Sequence, residues 1–133
     1  MRVLGRHILV EFCECKKEIL NNRDLIQQYM EEAARASNAT IVDSVFHRFN
    51  PHGVSGVVVI AESHLAIHTW PEYNYASVDL FTCGTGVDPW RAFDLLKQCL
   101  ESDYYSFKEL KRGLPGPGSA YDIQLQHKPQ AAL

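Results

Sequence analysis

A glutamate followed directly by a serine, Glu62-Ser63, gives this chain the parts of a backbone that can cut itself. A serine hydroxyl can attack the carbonyl carbon of the preceding residue and convert the amide into an ester. An imidazole, His68, follows five residues later, and a thiol, Cys83, falls on what should be the next strand. These side chains are a base and an acid of the kind that such chemistry requires.

The ester opens a route to a built-in electrophile. A base that removes the Ser63 α-proton lets the ester leave by β-elimination, and the remaining dehydroalanine hydrolyses to a pyruvoyl group. A pyruvoyl ketone forms a Schiff base with a substrate amine and accepts electrons as a carboxylate departs. The segment therefore points to a self-processing chain that makes its own carbonyl cofactor.

Length and charge restrict what the protein can be. At 133 residues the chain is predicted to be one domain with a core of its own. Its net charge is −3, from 13 basic and 16 acidic side chains, and no basic run could follow a phosphate backbone, so we expect no nucleic acid partner. No apolar stretch approaches the roughly 20 residues of a membrane span, and charges interrupt the N-terminal segment. We expect a cytoplasmic protein without a membrane partner.

The four cysteines lack the repeated spacing of a structural zinc site. Cys13 and Cys15 could together coordinate a metal ion, but two further ligands at suitable spacing are not evident. In a reducing compartment Cys13, Cys15, Cys83 and Cys99 are most simply free thiols. We therefore expect no metal.

Apolar periodicity predicts the elements that must position these residues. Alternation predicts a strand at residues 3–12, and apolar runs such as Val57-Val58-Val59-Ile60, separated by turn residues, predict strands at 40–49, 54–61, 64–70, 75–83 and 104–110. Two apolar stripes predict helices, one capped by Asn22 and one starting at Asp88-Pro89. This order indicates an α+β fold, a two-layer sandwich whose mostly antiparallel sheet carries both helices on one face. Residues 1–112 form this single domain, and residues 113–133 are a Gly/Pro-rich tail.

The other face of the sheet mixes aromatic and titratable side chains. Because successive side chains of a strand point to opposite faces, Leu65 and Ile67 are predicted to face the helices, together with Val78 and Leu80. The opposite face then carries His64, Ala66, His68, Trp70, Ser77, Asp79, Phe81 and Cys83. This face is too apolar to be left in contact with water and too polar for an ordinary hydrophobic core. We therefore predict that a second copy of the chain covers it, with the active site near the interface between the two copies.

Several motifs in register resemble the prokaryotic S-adenosylmethionine decarboxylases, the small, self-processing, pyruvoyl-dependent type. The similarity runs from about Gly5 to Pro89. Its strongest parts are Leu4-Gly5-Arg6-His7, Phe46-His47-Arg48-Phe49, Gly53-Val54-Ser55-Gly56-Val57, Glu62-Ser63-His64-Leu65, Ile67-His68-Thr69-Trp70-Pro71-Glu72 and Asp79-Leu80-Phe81-Thr82-Cys83-Gly84. Two positions depart from the family pattern: Ala66 replaces a small hydroxyl residue, and Asn74 stands where glycine is frequent.

The resemblance implies that the chain is a precursor. Cleavage after Glu62 would leave a β chain of residues 1–62 and an α chain of residues 63–133 that begins with the pyruvoyl group made from Ser63. The mature enzyme would decarboxylate S-adenosylmethionine and so make the aminopropyl donor for spermidine.

The resemblance also implies roles for three further side chains. His68 would remove the Ser63 α-proton, and Ser55 would assist at the ester stage. Cys83 would protonate the carbanion left by decarboxylation. The near-neutral titration of imidazole and the weak acidity of a thiol suit these tasks.

Two aromatic residues and an acid suit the implied substrate. Adenosylmethionine brings a flat adenine and a sulfonium cation, which aromatic faces bind by stacking and by cation–π attraction. Phe49 and Trp70 are the candidates, with Glu72 for the ribose hydroxyls.

Plainer interpretations stay open. Taken singly, Ser55 is typical of a bulge or turn, and Cys83 of a small buried hydrophobe. His68 could be a satisfied sheet histidine, and Phe49 and Trp70 could be packing residues. Two rival functions also remain: a pyruvoyl-dependent decarboxylase of arginine or ornithine, and an uncut, non-enzymatic paralogue.

Overall fold

The structure, a computed structural model, describes residues 3–113 of the chain. Its elements are β1 Gly5–Cys13, α1 Lys17–Leu20, α2 Arg23–Ala36, β2 Ile41–Arg48, β3 Val54–Ile60, β4 Ser63–Trp70, a 3-10 turn Pro71–Tyr73, β5 Tyr75–Cys83, α3 Pro89–Cys99 and β6 Tyr104–Arg112. The predicted α+β architecture is confirmed, and the short α1 is an addition to it. The predicted tail lies, apart from Gly113, outside the described residues.

The six strands form one antiparallel sheet in the order β2-β3-β4-β5-β1-β6. The first strand therefore lies between β5 and β6, far from its neighbours in sequence. Register places His68 on β4 opposite Ser55 on β3 and Ser77 on β5. At the other end of β4, Ser63 lies opposite Thr82.

One face of the sheet packs against α2 and α3. Each helix begins as the sequence predicts: Asn22 Oδ1 accepts from the Leu25 amide at 3.0 Å, and Asp88 Oδ1 from the Trp90 amide at 3.1 Å. The helices bury Ile26, Met30, Ala33, Ala34, Ala92, Phe93 and Leu96. Beneath them the alternate residues of the strands are buried, among them Ile8, Val10, Phe12, Val58, Leu65, Ile67, Val78 and Leu80. The predicted parity is confirmed.

Two turns at one end of the sheet depend on special backbone conformations. Asn74 has φ 54°, in the left-handed region that asparagine tolerates better than most residues, which explains why it can stand at a family glycine position. Gly53 has φ 104°, and a Cβ there would lie 3.2 Å from the Thr69 carbonyl oxygen. The turn from β2 to β3 thus lies directly against the end of β4.

The second face of the sheet, here called the open face, carries no helix within residues 3–113. Large apolar side chains are exposed along it, with Val45 62% and Leu110 42% exposed, and with Leu9, Val59 and Trp70 each more than a third exposed. No helix among the described residues is long and apolar enough to cross a membrane.

Candidate active site

The Glu62-Ser63 bond lies where a two-residue connection joins β3 to β4. Ser63 adopts φ 141°, a conformation that residues with a Cβ rarely take. Such a conformation costs about 1–3 kcal/mol and persists only where the surroundings impose it. The strain therefore sits directly at the bond singled out by the sequence.

Three hydrogen bonds hold this bond from two sides. The Cys83 amide donates to the Glu62 carbonyl oxygen at 2.8 Å. The Thr40 amide donates to Glu62 Oε1 at 3.1 Å, and the Ala61 amide donates to the Thr40 carbonyl oxygen at 2.9 Å. A donor aimed at the Glu62 carbonyl oxygen is placed to stabilise the negative charge that forms there when a nucleophile attacks the carbonyl carbon.

A cavity of about 340 Å³ opens at the end of β5, lined by Leu4, Arg6, Thr82, Cys83, Gly84 and Val87 among others. Arg6 is fixed at its wall by Glu109, with Nε 3.0 Å from Oε2. Two of its lining residues are Cys83, whose amide binds the Glu62 carbonyl, and Thr82, the ladder partner of Ser63.

Ser55 and His68 form a second polar pair on the open face. The Ser55 Oγ lies 2.7 Å from His68 Nδ1 across the β3–β4 ladder. This is the distance of a strong hydrogen bond between a hydroxyl and an imidazole, the arrangement of a side-chain acid and base pair.

The three candidate binding residues lie at the same end of the sheet as His68. The Trp70 ring lies 6.5 Å from the His68 ring and 5.3 Å from the Tyr75 ring. Tyr75 in turn hydrogen-bonds Glu11, and burial, followed by that hydrogen bond, raises the pKa of Tyr75 to about 12. The phenol therefore stays neutral beside Trp70.

Phe49 and Glu72 each contact a histidine. The Phe49 ring packs edge-on against His47 at 4.6 Å, and Glu72 Oε2 lies 3.2 Å from His52 Nε2. Both contacts lie at the end of the sheet where β3 begins and β4 ends, the end that also carries Trp70.

The candidate residues form two separate groups within one chain. The cleavage group is Glu62, Ser63 and Cys83, and the histidine group is Ser55, His68, Phe49, Trp70 and Glu72. Ser63 and His68 stand five residues apart on one strand, a separation of about 17 Å at the usual rise of a β-strand. A single chain therefore does not bring His68 to the Ser63 α-proton.

Comparisons with known proteins give the family. A family model described as S-adenosylmethionine decarboxylase matches residues 6–113. The chain belongs to the S-adenosylmethionine decarboxylase family. Two bacterial relatives named S-adenosylmethionine decarboxylase proenzyme, from Thermotoga petrophila and Thermotoga maritima, are 61% and 60% identical to it over 113 residues, 85% of this chain and 87% of theirs.

A solved structure of the same family has the same fold. The crystal structure of the adenosylmethionine decarboxylase from Aquifex aeolicus is 34% identical, has a TM-score of 0.82, and covers 90% of this chain and 98% of that chain. The family that the motifs resemble is therefore confirmed by comparisons over almost the whole described chain.

Some contributors to the site were missed by the sequence analysis. Cys83 and Thr40 contribute their backbone amides, and because every residue except proline has such an amide, the residue type does not reveal this contribution. His52, the partner of Glu72, gave one usable signal, because it lies between the predicted strands 40–49 and 54–61 and so in the turn that joins them.

Proposed function

We propose that this decarboxylase-family chain cuts itself after Glu62, and that the mature protein decarboxylates S-adenosylmethionine with a pyruvoyl group made from Ser63. The observation that carries the proposal is the geometry at the bond: a strained serine whose preceding carbonyl oxygen accepts a hydrogen bond from the Cys83 amide. Relatives named as proenzymes support a chain that must be processed.

The cleavage needs only side chains and amides of the protein itself and one water molecule. The Ser63 Oγ attacks the Glu62 carbonyl carbon, the C–N bond breaks, and the serine nitrogen takes the proton from the hydroxyl. The Cys83 amide stabilises the oxyanion during this step. Removal of the Ser63 α-proton then expels Glu62 as a carboxylate, and hydrolysis of the resulting enamine releases ammonia and leaves the ketone.

The base for the second step would come from a second copy of the chain. His68, hydrogen-bonded to Ser55, is a suitable base, but it lies about 17 Å along the strand from its own Ser63. A two-fold axis through the open face would set the histidine group of each chain against the cleavage group of its partner. The same pairing would cover the exposed Val45, Trp70 and Leu110.

In this pairing both copies would contact one substrate molecule. Phe49, Trp70 and Glu72 stand with His68, so one chain would hold the adenosyl part while the amino acid part reaches the ketone of the other. That ketone supplies a carbonyl that condenses with the substrate amine and accepts the electrons left by the carboxylate. The thiol of Cys83, the residue after the ladder partner of Ser63, would deliver the proton that replaces the carboxylate.

We propose that the product serves spermidine synthesis in the cytoplasm. Within residues 3–113 none of the four cysteines forms a disulfide bond, which suits a reducing compartment. An aminopropyl donor is what decarboxylated adenosylmethionine supplies.

Two measurements on the purified wild-type protein test the proposal. Intact mass spectrometry is expected to show two fragments, with a ketone at the start of the second. Carbon dioxide release is expected from adenosylmethionine and not from arginine or ornithine. A chain that stays whole after ample time to mature would overturn the proposal, and release from arginine or ornithine alone would change the substrate.

Variants separate the roles in the order of the mechanism. Ser63→Ala is expected to stay whole, and His68→Ala to be cut slowly or not at all. Cys83→Ala is expected to lower turnover more than cleavage, because the backbone amide that holds the Glu62 carbonyl survives the substitution. Normal fragment yield from Ser63→Ala would contradict the proposal.

A further inference from the structure

His52 joins the two turns that border the candidate binding residues. Its Nε2 lies 3.2 Å from Glu72 Oε2, and the two side chains are 38% and 37% exposed. His52 belongs to the turn between β2 and β3, whereas Glu72 belongs to the 3-10 turn after β4. The contact therefore ties a proposed ribose ligand to a different part of the chain.

The turn that carries His52 is itself fixed by its backbone. The Phe49 amide donates to the Gly53 carbonyl oxygen at 2.8 Å, and the Gly53 amide donates to Asn21 Oδ1 at 3.0 Å. Gly53 also lies against the Thr69 carbonyl oxygen, too close for a larger residue to fit easily. The imidazole thus projects from a rigid support.

Glu72 has no comparable support of its own. Among the described residues, His52 is the side chain within ion-pair distance of its carboxylate, at Oε2, and Oε1 accepts no hydrogen bond from them. A long acidic side chain that must be ordered on binding weakens binding by its lost rotamer freedom, whereas one already held does not.

We propose that His52 is a positioning residue for the substrate: it holds the Glu72 carboxylate so that the free oxygen can accept the ribose hydroxyls of a nucleoside. This inference rests on the proposed function. His52 touches neither the reacting carbon nor the cleavage bond, so its effect is confined to binding.

The test is a double-mutant cycle on the fully processed protein, with adenosylmethionine as the probe. His52→Ala is expected to raise KM about 2- to 10-fold, with kcat and the cleaved fraction unchanged. His52→Gln, whose amide nitrogen can still donate to the carboxylate, is expected to restore a KM near that of wild type. In a Glu72→Ala background, His52→Ala is expected to change KM no further.

Three outcomes would overturn the inference: an unchanged KM in His52→Ala, an equal rise in His52→Gln, or a full additional rise in the Glu72→Ala background. If the alanine variant does not fold, His52→Asn, whose amide is too short to reach Glu72, takes its place in the cycle. A wild-type protein that releases no carbon dioxide would instead end the proposed function, so the two failures are distinguishable.

Discussion

At Glu62 the side chain and the carbonyl oxygen are held by different parts of the fold. The carboxylate is bound by the Thr40 amide just before β2, and the carbonyl by the Cys83 amide at the end of β5. Together these contacts can keep Ser63 in a conformation that it would not adopt freely. The Glu62 side chain is therefore expected to influence cleavage without taking part in it.

Glu62→Ala removes one of these contacts and is expected to slow self-cleavage about 10-fold, as the loss of a hydrogen bond to a charged group of about 1.5 kcal/mol would do. Glu62→Gln keeps an oxygen that accepts from Thr40 and is expected to be cut nearly as fast as wild type. Fragment formation is followed by gel densitometry from the moment of synthesis, with the thermal midpoint as a control for folding. Wild-type cleavage in Glu62→Ala would exclude this role.

Residue types pointed to a possible chemistry at this site, but they gave little of its geometry. Ser63, His68 and Cys83 stand out because few side chains can act as nucleophile, base and acid. The distance between Ser63 and His68 could also be predicted, since five residues of one strand span about 17 Å. The backbone donors could not have been predicted, because any residue supplies an amide and only the register decides where it points.

Among the elements, the pairing of β2 with β3 depends on a residue without a side chain. Gly56 lies opposite Phe46, and a Cβ on it would lie 2.0 Å from Phe46 Cδ2. Gly56→Ala is expected to destabilise the protein by about 1–3 kcal/mol through overpacking. Gly86→Ala, where a Cβ would meet nothing within 4 Å, is the matched control and is expected to be close to neutral. Urea denaturation measures both, and equal midpoints would contradict the packing argument.

The contact between α2 and β2 is expected to depend on pH. Glu31 accepts a hydrogen bond from the Ser44 hydroxyl at 2.5 Å and another from Gln27 at 3.1 Å, and these, in that order, lower the pKa of Glu31 below its usual 4.5. A lowered pKa in the folded state means that the stabilisation is complete above pH 4.5 and is lost as the pH falls through the folded value.

Glu31→Gln is therefore expected to lower the free energy of unfolding by about 1 kcal/mol at pH 7 and by much less at pH 3. Urea denaturation at several pH values measures the difference. Glu32→Gln, which replaces the neighbouring glutamate paired with Gln28, is the control. A deficit that does not shrink at low pH would show that the carboxylate charge is not what stabilises this contact.

The elements were largely predictable because their signals are local. The β-branched run Val57-Val58-Val59-Ile60 and the capping at Asn22 and Asp88 depend on neighbouring residues alone. The short α1 was missed, since four residues give too little periodicity to recognise. The insertion of β1 between β5 and β6 is set by contacts between distant segments and could not be predicted from local pattern.

For the whole molecule, the separation of the cleavage and histidine groups leads to a test of the paired site. When expressed alone, chains carrying Ser63→Ala are expected to stay whole, and chains carrying His68→Ala to be cut slowly or not at all. When the two are expressed together, mixed pairs combine an intact Ser63 with an intact His68 from the other chain. Roughly half of the His68→Ala chains are then expected to be cut, as random pairing of equal amounts requires.

Distinct affinity tags on the two variants let mass spectrometry assign the fragments to each chain. A mixture in which the His68→Ala chain stays whole would mean that His68 does not act across the interface. The same tags show by co-purification whether mixed pairs form, so a lack of pairing is distinguished from a lack of cleavage.

The strand order has a consequence for what maturation leaves behind. The proposed cleavage site lies between β3 and β4, so one product contains β1, β2 and β3 and the other contains β4, β5 and β6. Their strands interleave in the sheet, with β1 of the first product enclosed by β5 and β6 of the second. The two products cannot separate without breaking three strand pairings, so they should remain associated as one folded unit. After thermal unfolding, however, the two fragments would separate, and refolding would require them to meet again by diffusion.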